Sequence, residues 1–363
     1  MAQDVYQKLR EQLDQYSIGF PATESGVEME ILKRLFTEAQ ADMFLDMTLF
    51  LETPSNIAAR SGRDPEQTAT LCEQMAQKGL IFRYRKQETV RYAAVPFVVG
   101  SYEFQLNNMD EALARLCDQY MTEALFHLDR MVRLPLRTIP VNKSVDATLT
   151  VASHDDARTI LKSKKKIAIT NCICRLQQHK TGNLCPKPLE VCFVFGSHAD
   201  FYVENDMARF ITQEEALAIQ DKCEEYGLVN QPFNVINPGG MCNCCGDCCG
   251  VLRAIQRHPR PRDLVYANYR AVVDADNCTA CGVCEERCQV QAIAYDDAGI
   301  AVINDDRCIG CGLCVTTCPA EAIRLEVVDE EHRLVPPATE KELFTEIAKI
   351  RGTNLVPLKM AGA

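Results

Sequence analysis

The chain has 363 residues, 47% hydrophobic and 25% charged, with 39 basic against 50 acidic side chains and a net charge of −11. Those values describe a soluble globular chain long enough for two or three domains, and the acidic balance argues against bulk attraction to nucleic acid or an anionic membrane. No apolar run reaches about 18 residues and "MAQDVYQKLREQLDQY" has no apolar h-region, so neither a membrane-inserted helix nor a signal peptide is expected, and the expected location is cytoplasmic. Twenty cysteines stand out, and only Cys72 and Cys117 precede residue 172. In a reducing compartment such thiols serve better as metal ligands than as disulfides.

The first third reads as helices closed by a hairpin. Apolar residues recur three and four apart over 28–50, which predicts an amphipathic helix or a pair. "TPSNIAARSG" (53–62) predicts a short helix capped by Thr53 or Ser55 and ended by Gly62. Asp64 as cap, Pro65 at the first position and Gly79 at the end bracket the next helix. Residues 80–95 are two strand-like runs around a polar turn, so the order is that of a winged helix-turn-helix. DNA readout is not favoured. The helix over 64–78 sets Asp64, Glu66 and Glu73 against Lys78, and the basic residues Arg83, Arg85, Lys86 and Arg91 sit on the wing instead. Docking or dimerisation is the preferred role for this part. Residues 100–135 continue as amphipathic helix, and "HDDARTILKSKKK" adds another whose lysines suit a solvated C-terminal end.

The middle of the chain concentrates thiols. "KIAIT" (166–170) and "LEVCFVFG" (189–196) have strand composition, which places Cys172, Cys174, Cys185 and Cys192 at strand ends and in the loop between. "GGMCNCCGDCCG" (239–250) adds Cys242, Cys244, Cys245, Cys248 and Cys249, with glycines that let the backbone wrap closely. Three uses stay open for these nine thiols: one or two iron–sulfur clusters, which is preferred, a structural zinc site, or disulfide and persulfide chemistry. Cys172 and Cys174, with partners from 242–249, are the expected ligands of a third cluster, and Cys185 and Cys192 are candidates for a fourth. Arg175 beside Cys174 would favour a reduced cluster. Cys72, Cys117 and Cys223 fall in helical patterns and read as buried hydrophobes; His179 and His198 are weaker ligand candidates. "RHPRPRD" (257–263) reads as a linker.

The C-terminal motifs are the most specific. Cys278, Cys281, Cys284 and Cys288 are spaced C-x2-C-x2-C-x3-C, and Cys308, Cys311, Cys314, Cys318 and Pro319 repeat that spacing with a following proline. In such pairs three cysteines of one motif and the last of the other surround each cubane, so Cys278, Cys281, Cys284 and Cys318 would hold one cluster and Cys308, Cys311, Cys314 and Cys288 the second. Over about 270–328 the chain resembles the bacterial two-cluster ferredoxins, which implies a pseudo-symmetric fold of hairpins and short helices that passes single electrons. "AIAYDD" and "AIRLEV" sit at matching positions, as do "VVDADNC" and "VINDDRC". Gln289 stands where that family usually has proline. Asp296, Asp297, Asp305 and Asp306 make the region acidic, which reads as a solvated face more readily than as a docking surface for a basic partner. From about residue 20 to 328, "CICR", "KPLEVCFVFGSHADFYVEN" and "MCNCCGDCC" resemble a group of ferredoxin-like 4Fe–4S proteins of anaerobic bacteria, which implies a redox role without naming a substrate.

The expected fold class is therefore α+β multidomain: a winged-helix-like α-helical domain (1–100), a helical connector (101–165), a cysteine-rich mixed α/β domain (166–262), a bacterial ferredoxin-like dicluster domain (263–328) and a tail (329–363). The expected cofactors are two 4Fe–4S clusters in the ferredoxin domain and one or two in the middle. No flavin or nicotinamide is expected, since neither G-x-G-x-x-G after a strand nor G-x4-G-K-S/T occurs. The expected role is an electron carrier or oxidoreductase subunit with a redox partner protein and no assigned catalytic residue; a homo-oligomer stays open. The alternatives are a redox-sensing winged-helix regulator and a reductase binding substrate at an open iron.

Overall fold

The computed structural model describes residues 4–126, 135–145 and 151–361. Helix α1 (Val5–Asp14), which the periodicity argument did not assign, starts on an Asp4 cap. The expected pair follows as α2 (Val27–Leu35) and α3 (Glu38–Phe44), the latter opened by a reciprocal capping box between Thr37 and Gln40. Thr53 caps α4 (Pro54–Ser61), which ends on left-handed Gly62; Asp64 caps α5 (Pro65–Gln77), with Pro65 at its first position. Strands β1 (Phe82–Lys86) and β2 (Thr89–Ala93) form the expected antiparallel hairpin. Helix α6 (Glu111–Tyr120) begins at Asp110 and runs into one π-helical turn, Met121–Leu125. The rest of the helix expected there, from 127 onward, lies outside the described residues.

The middle of the chain is built on a five-stranded antiparallel sheet of order β5-β3-β4-β7-β6. Its elements run α7 (Ala157–Ser163), β3 (Ile167–Asn171), α8 (Ile173–Lys180), β4 (Glu190–Phe195), α9 (Gly196–Glu204), β5 (Ala208–Ile211), α10 (Gln213–Glu225), β6 (Val229–Pro232) and β7 (Gly240–Cys244). Four of the five β3 residues are buried, as expected for an apolar run covered on both faces. This part shares its core with the N-terminal helices: Leu9, Ile31, Phe44, Met75 and Tyr120 belong to the same buried cluster as Ala168, Ile173 and Phe201. The hairpin is fastened to α9 by charge. Arg83, 2% exposed in its side chain, bonds Glu73 at 2.8 Å and Glu204 at 2.7 Å, and Arg85 bonds the same two carboxylates. Half of the hairpin's basic side chains are thus occupied internally.

Helix α11 (Gly250–Arg257) leads into the C-terminal part, which comprises β8 (Tyr269–Val273), α12 (Val283–Arg287), β9 (Ile293–Tyr295), β10 (Ala301–Ile303) and β11 (Ile323–Val327). Strand β8 pairs with β11 and β9 with β10, so each hairpin-like pair draws on the repeated segments noted in the sequence. The 257–263 segment is packed rather than free: Arg262 donates to the Cys308 carbonyl, and Arg307 donates to those of Gln256 and His258. Helices α13 (Glu340–Arg351) and α14 (Leu358–Ala361) fold back on the N-terminal helices, where Arg351 donates to the Ser17 carbonyl and Lys359 pairs with Asp42 and Asp46.

Candidate metal centres

Two cavities in the C-terminal part are each lined by four cysteines. Cys278, Cys281, Cys284 and Cys318 surround one, beside Tyr295 and Ile323. Cys288, Cys308, Cys311 and Cys314 surround the other, with Val290, Ile293 and Leu313. Each cavity takes three cysteines from one motif and the last from the other. Backbone amides already aim at the sulfurs: Ala292 N–H donates to Cys288 Sγ at 3.2 Å and Ala322 N–H to Cys318 Sγ at 3.3 Å, the same four-residue offset in both repeats. A third amide, of Ala271, donates to Cys308 Sγ at 3.5 Å. Burial raises the thiols of Cys308 and Cys311, Cys311 to about 12. Uncharged thiols are thus the cheap state without a cation, and a thiophilic metal core is what would draw their protons off. The residues present fit 4Fe–4S clusters.

Six of the nine middle thiols are linked in a closed ring by mutual electrostatic influence: Cys172 with Cys174 and Cys192, Cys174 with Cys249, Cys249 with Cys244, Cys244 with Cys242, and Cys242 with Cys192. Acidity alternates around it. Cys172 is pulled well below the usual thiol value by Cys174 and Cys192, Cys249 by Cys174 and Cys244, and Cys242 falls to about 5 through Cys192 and Cys244; the three thiols between them are raised. Six close sulfurs cannot all ionise next to one another, so three hold protons that a cationic core would replace. Cys174, Cys192 and Cys242 are half-buried, whereas Cys172, Cys244 and Cys249 are buried.

The remaining three thiols form a second group, in one buried cluster with Cys172 and packed against Cys174 and Cys192. Sγ atoms of Cys185, Cys245 and Cys248 all lie within 4.8 Å of one another, with Cys185 and Cys245 at 4.0 Å. Arg175, fully buried, donates from Nη2 to Cys245 Sγ at 3.4 Å. Cys245 is lowered to about 6, first by its contact with Cys248 and then by Arg175. The sequence pairs Cys185 with Cys192 as candidates for a further cluster; the structure instead sets Cys185, in the loop after α8, with Cys245 and Cys248, while Cys192 lies within β4. Arg175 serves both groups, donating to Cys245 Sγ and lying close enough to Cys172 to lower its thiol. The adjacent pairs divide as well: Cys244, the last residue of β7, and Cys249 join the ring, whereas Cys245 and Cys248, in the turn, join the trio.

Residues 271–325 match the family model of a 4Fe-4S dicluster domain. This stretch is a ferredoxin-type iron–sulfur domain. Neither a curated protein nor a solved structure matches the chain. The dicluster domain abuts the thiol ring, since Cys244 and Cys249 share a buried apolar cluster with Cys284, Cys308 and Cys314.

The structure gives roles to residues that sequence reasoning left without one, and adds Glu103, which it did not single out. Gln289, the departure from the ferredoxin pattern, accepts from the Gly246 N–H at 2.7 Å, and its own carbonyl accepts from Gln256 at 2.7 Å, tying the dicluster domain to the loop between Cys245 and Cys248. Glu103 lies close enough to Cys242 to feel its charge, and burial raises its carboxyl to about 8 against an opposing hydrogen bond from Gly100 N–H. It follows Val99, a β-branched residue at φ +50. Strain of that kind is a structural signal with no sequence signature. His179 bonds the Cys185 carbonyl at 3.0 Å, and His198 stacks on Phe82, so neither ring is among the thiols. Cys72, Cys117 and Cys223 are buried. Among the described residues no helix is long and apolar enough to cross a membrane.

Proposed function

We propose that the protein is an electron-transfer iron–sulfur protein. It passes single electrons between its dicluster domain, at least one further cluster in the six-thiol ring, and a partner oxidoreductase. The observation that carries the reading is the packing of the ring against the dicluster domain through Cys244 and Cys249. When bound, a 4Fe–4S cluster stores and releases one electron. The chain supplies the rest. Cys278, Cys281, Cys284 and Cys318 hold one cluster and Cys308, Cys311, Cys314 and Cys288 the other, and the amides of Ala271, Ala292 and Ala322 offset the charge on their sulfurs. Ile309, Leu313, Val290 and Ile293 keep water from the second site. In the ring, Cys172, Cys174, Cys192, Cys242, Cys244 and Cys249 offer more thiolates than one cubane needs.

The N-terminal helices and hairpin are read as a winged-helix-like docking module rather than a DNA reader. Arg83 and Arg85 are held by Glu73 and Glu204 and do not face a phosphate. The acidic patch is likewise partly used inside the molecule, with Asp305 near Arg270 and Asp306 near Arg260.

The test is iron and sulfide per chain on protein purified without oxygen. The expected result is about 12 iron or more, with reduction by a matching number of electrons and no retention of DNA in a gel shift. A value of about 8 would confine iron to the dicluster domain and end the extended-relay reading.

A further inference from the structure

We infer that Cys185, Cys245 and Cys248 form a separate mononuclear site for a thiophilic divalent ion of the zinc type, rather than part of an iron–sulfur cluster. This refines the relay reading by taking three thiols out of the cluster count, and it can stand or fall without that reading. The first argument is spacing. A tetrahedral ion with metal–sulfur bonds near 2.3 Å sets its sulfurs about 3.8 Å apart. A cubane carries each thiolate on a different iron, which spreads them to about 6 Å. The trio lies within 4.8 Å, with one pair at 4.0 Å. Among the described residues no other three cysteines have all their sulfurs within 4.8 Å of one another, neither among the eight around the dicluster cavities nor among the six of the ring.

The second argument is charge. Three thiolates around a divalent cation leave one net negative charge in the interior, and such a charge needs a buried partner. Arg175 supplies it, fully buried, with Nη2 on Cys245 Sγ and Nη1 on the Pro188 carbonyl. Lys187 crosses the outside of the site to Asp247 at 2.7 Å.

The third argument is position. Cys245 and Cys248 bracket the turn between β7 and α11, and the residues on either side of that turn, Cys244 and Cys249, belong to the ring. An ion shared with Cys185 fastens the turn to the loop after α8, which fixes two ring thiols without entering the ring. Three protein thiolates leave the fourth position to water or an exogenous ligand.

The test uses the full chain, purified without oxygen from cells supplied with both iron and zinc salts. About one zinc per chain is expected, and X-ray absorption at the zinc edge should give at least three sulfur neighbours near 2.3 Å. Cys185→Ser should lower zinc retention against a chelator by about tenfold while iron per chain stays level. Zinc-free native protein, a zinc edge poor in sulfur, or loss of about four iron in Cys185→Ser would each overturn the proposal. The edge spectrum needs no variant, so a folding failure of the mutant leaves the test intact. Iron near 8 beside a sulfur-rich zinc site would refute the extended relay alone.

Discussion

At the scale of single residues, the metal sites depend on side chains that bind no metal. Gly310 sits at φ +66, and a Cβ there would meet the Tyr269 carbonyl oxygen at 2.2 Å. Gly310→Ala is expected to cost about 2–3 kcal/mol, seen as a lower urea midpoint, and to release iron from the second cavity first. Glu103 is a pH-sensitive element beside the ring. Its folded carboxyl is raised to about 8 from an ordinary value of 4.5, so its protonated form is favoured by folding. The sign follows: its contribution is complete below about pH 4.5 and is lost as pH rises toward 8, at no more than about 1.4 kcal/mol per pH unit. Urea titrations across that range should show the slope in the native chain and its absence in Glu103→Gln.

Among the elements, the hairpin β1–β2 carries the clearest division between architecture and role. Its alternation and turn specify a hairpin, but its Arg83 and Arg85 are spent on α5 and α9. Arg83→Ala leaves Glu73 and Glu204 with Arg85 as their shared cation, so a loss of about 2 kcal/mol is expected rather than the larger cost of an unpaired buried charge. Hydrogen exchange should accelerate in β1 and β2 ahead of the sheet. Should exchange there stay unchanged, the hairpin would not depend on α9 for its order. Helix α8 shows the same logic from the other side: Cys172 caps it, Cys174 lies in its first turn, and Arg175 donates to Cys245 Sγ while its charge also reaches Cys172.

For the molecule as a whole, the dicluster domain and the cysteine-rich sheet act as one body because Gln289 reaches Gly246 across their boundary. Gln289→Pro would restore the residue usual in the two-cluster ferredoxins and leave the buried Gly246 N–H without an acceptor, at a cost of about 1–3 kcal/mol. Iron in the dicluster domain should be unchanged, whereas the loop of Cys245 and Cys248 should become reactive to thiol reagents. Equal protection in the variant would show that the remaining contacts, among them Arg307 on the Gln256 and His258 carbonyls, hold the two parts together without the Gln289–Gly246 bond.

The dicluster motifs, the hairpin and helix boundaries such as Thr53, Asp64 and Gly62 were legible because each rests on contacts a few residues apart: a three-residue thiol spacing, a cap bonding the next turn, a left-handed stop. The nine middle thiols were legible as a concentration of candidate ligands but not as a six and a three. That division depends on the turn between β7 and α11, and on a loop some sixty residues away in the chain supplying Cys185 to Cys245. The exclusion of Arg83 and Arg85 from any phosphate contact likewise required Glu204, more than a hundred residues distant. Local chemistry was written in the sequence; the grouping of thiols and the pairing of charges were decided by tertiary structure, because only the closed sheet and its packed helices bring those distant side chains within bonding range.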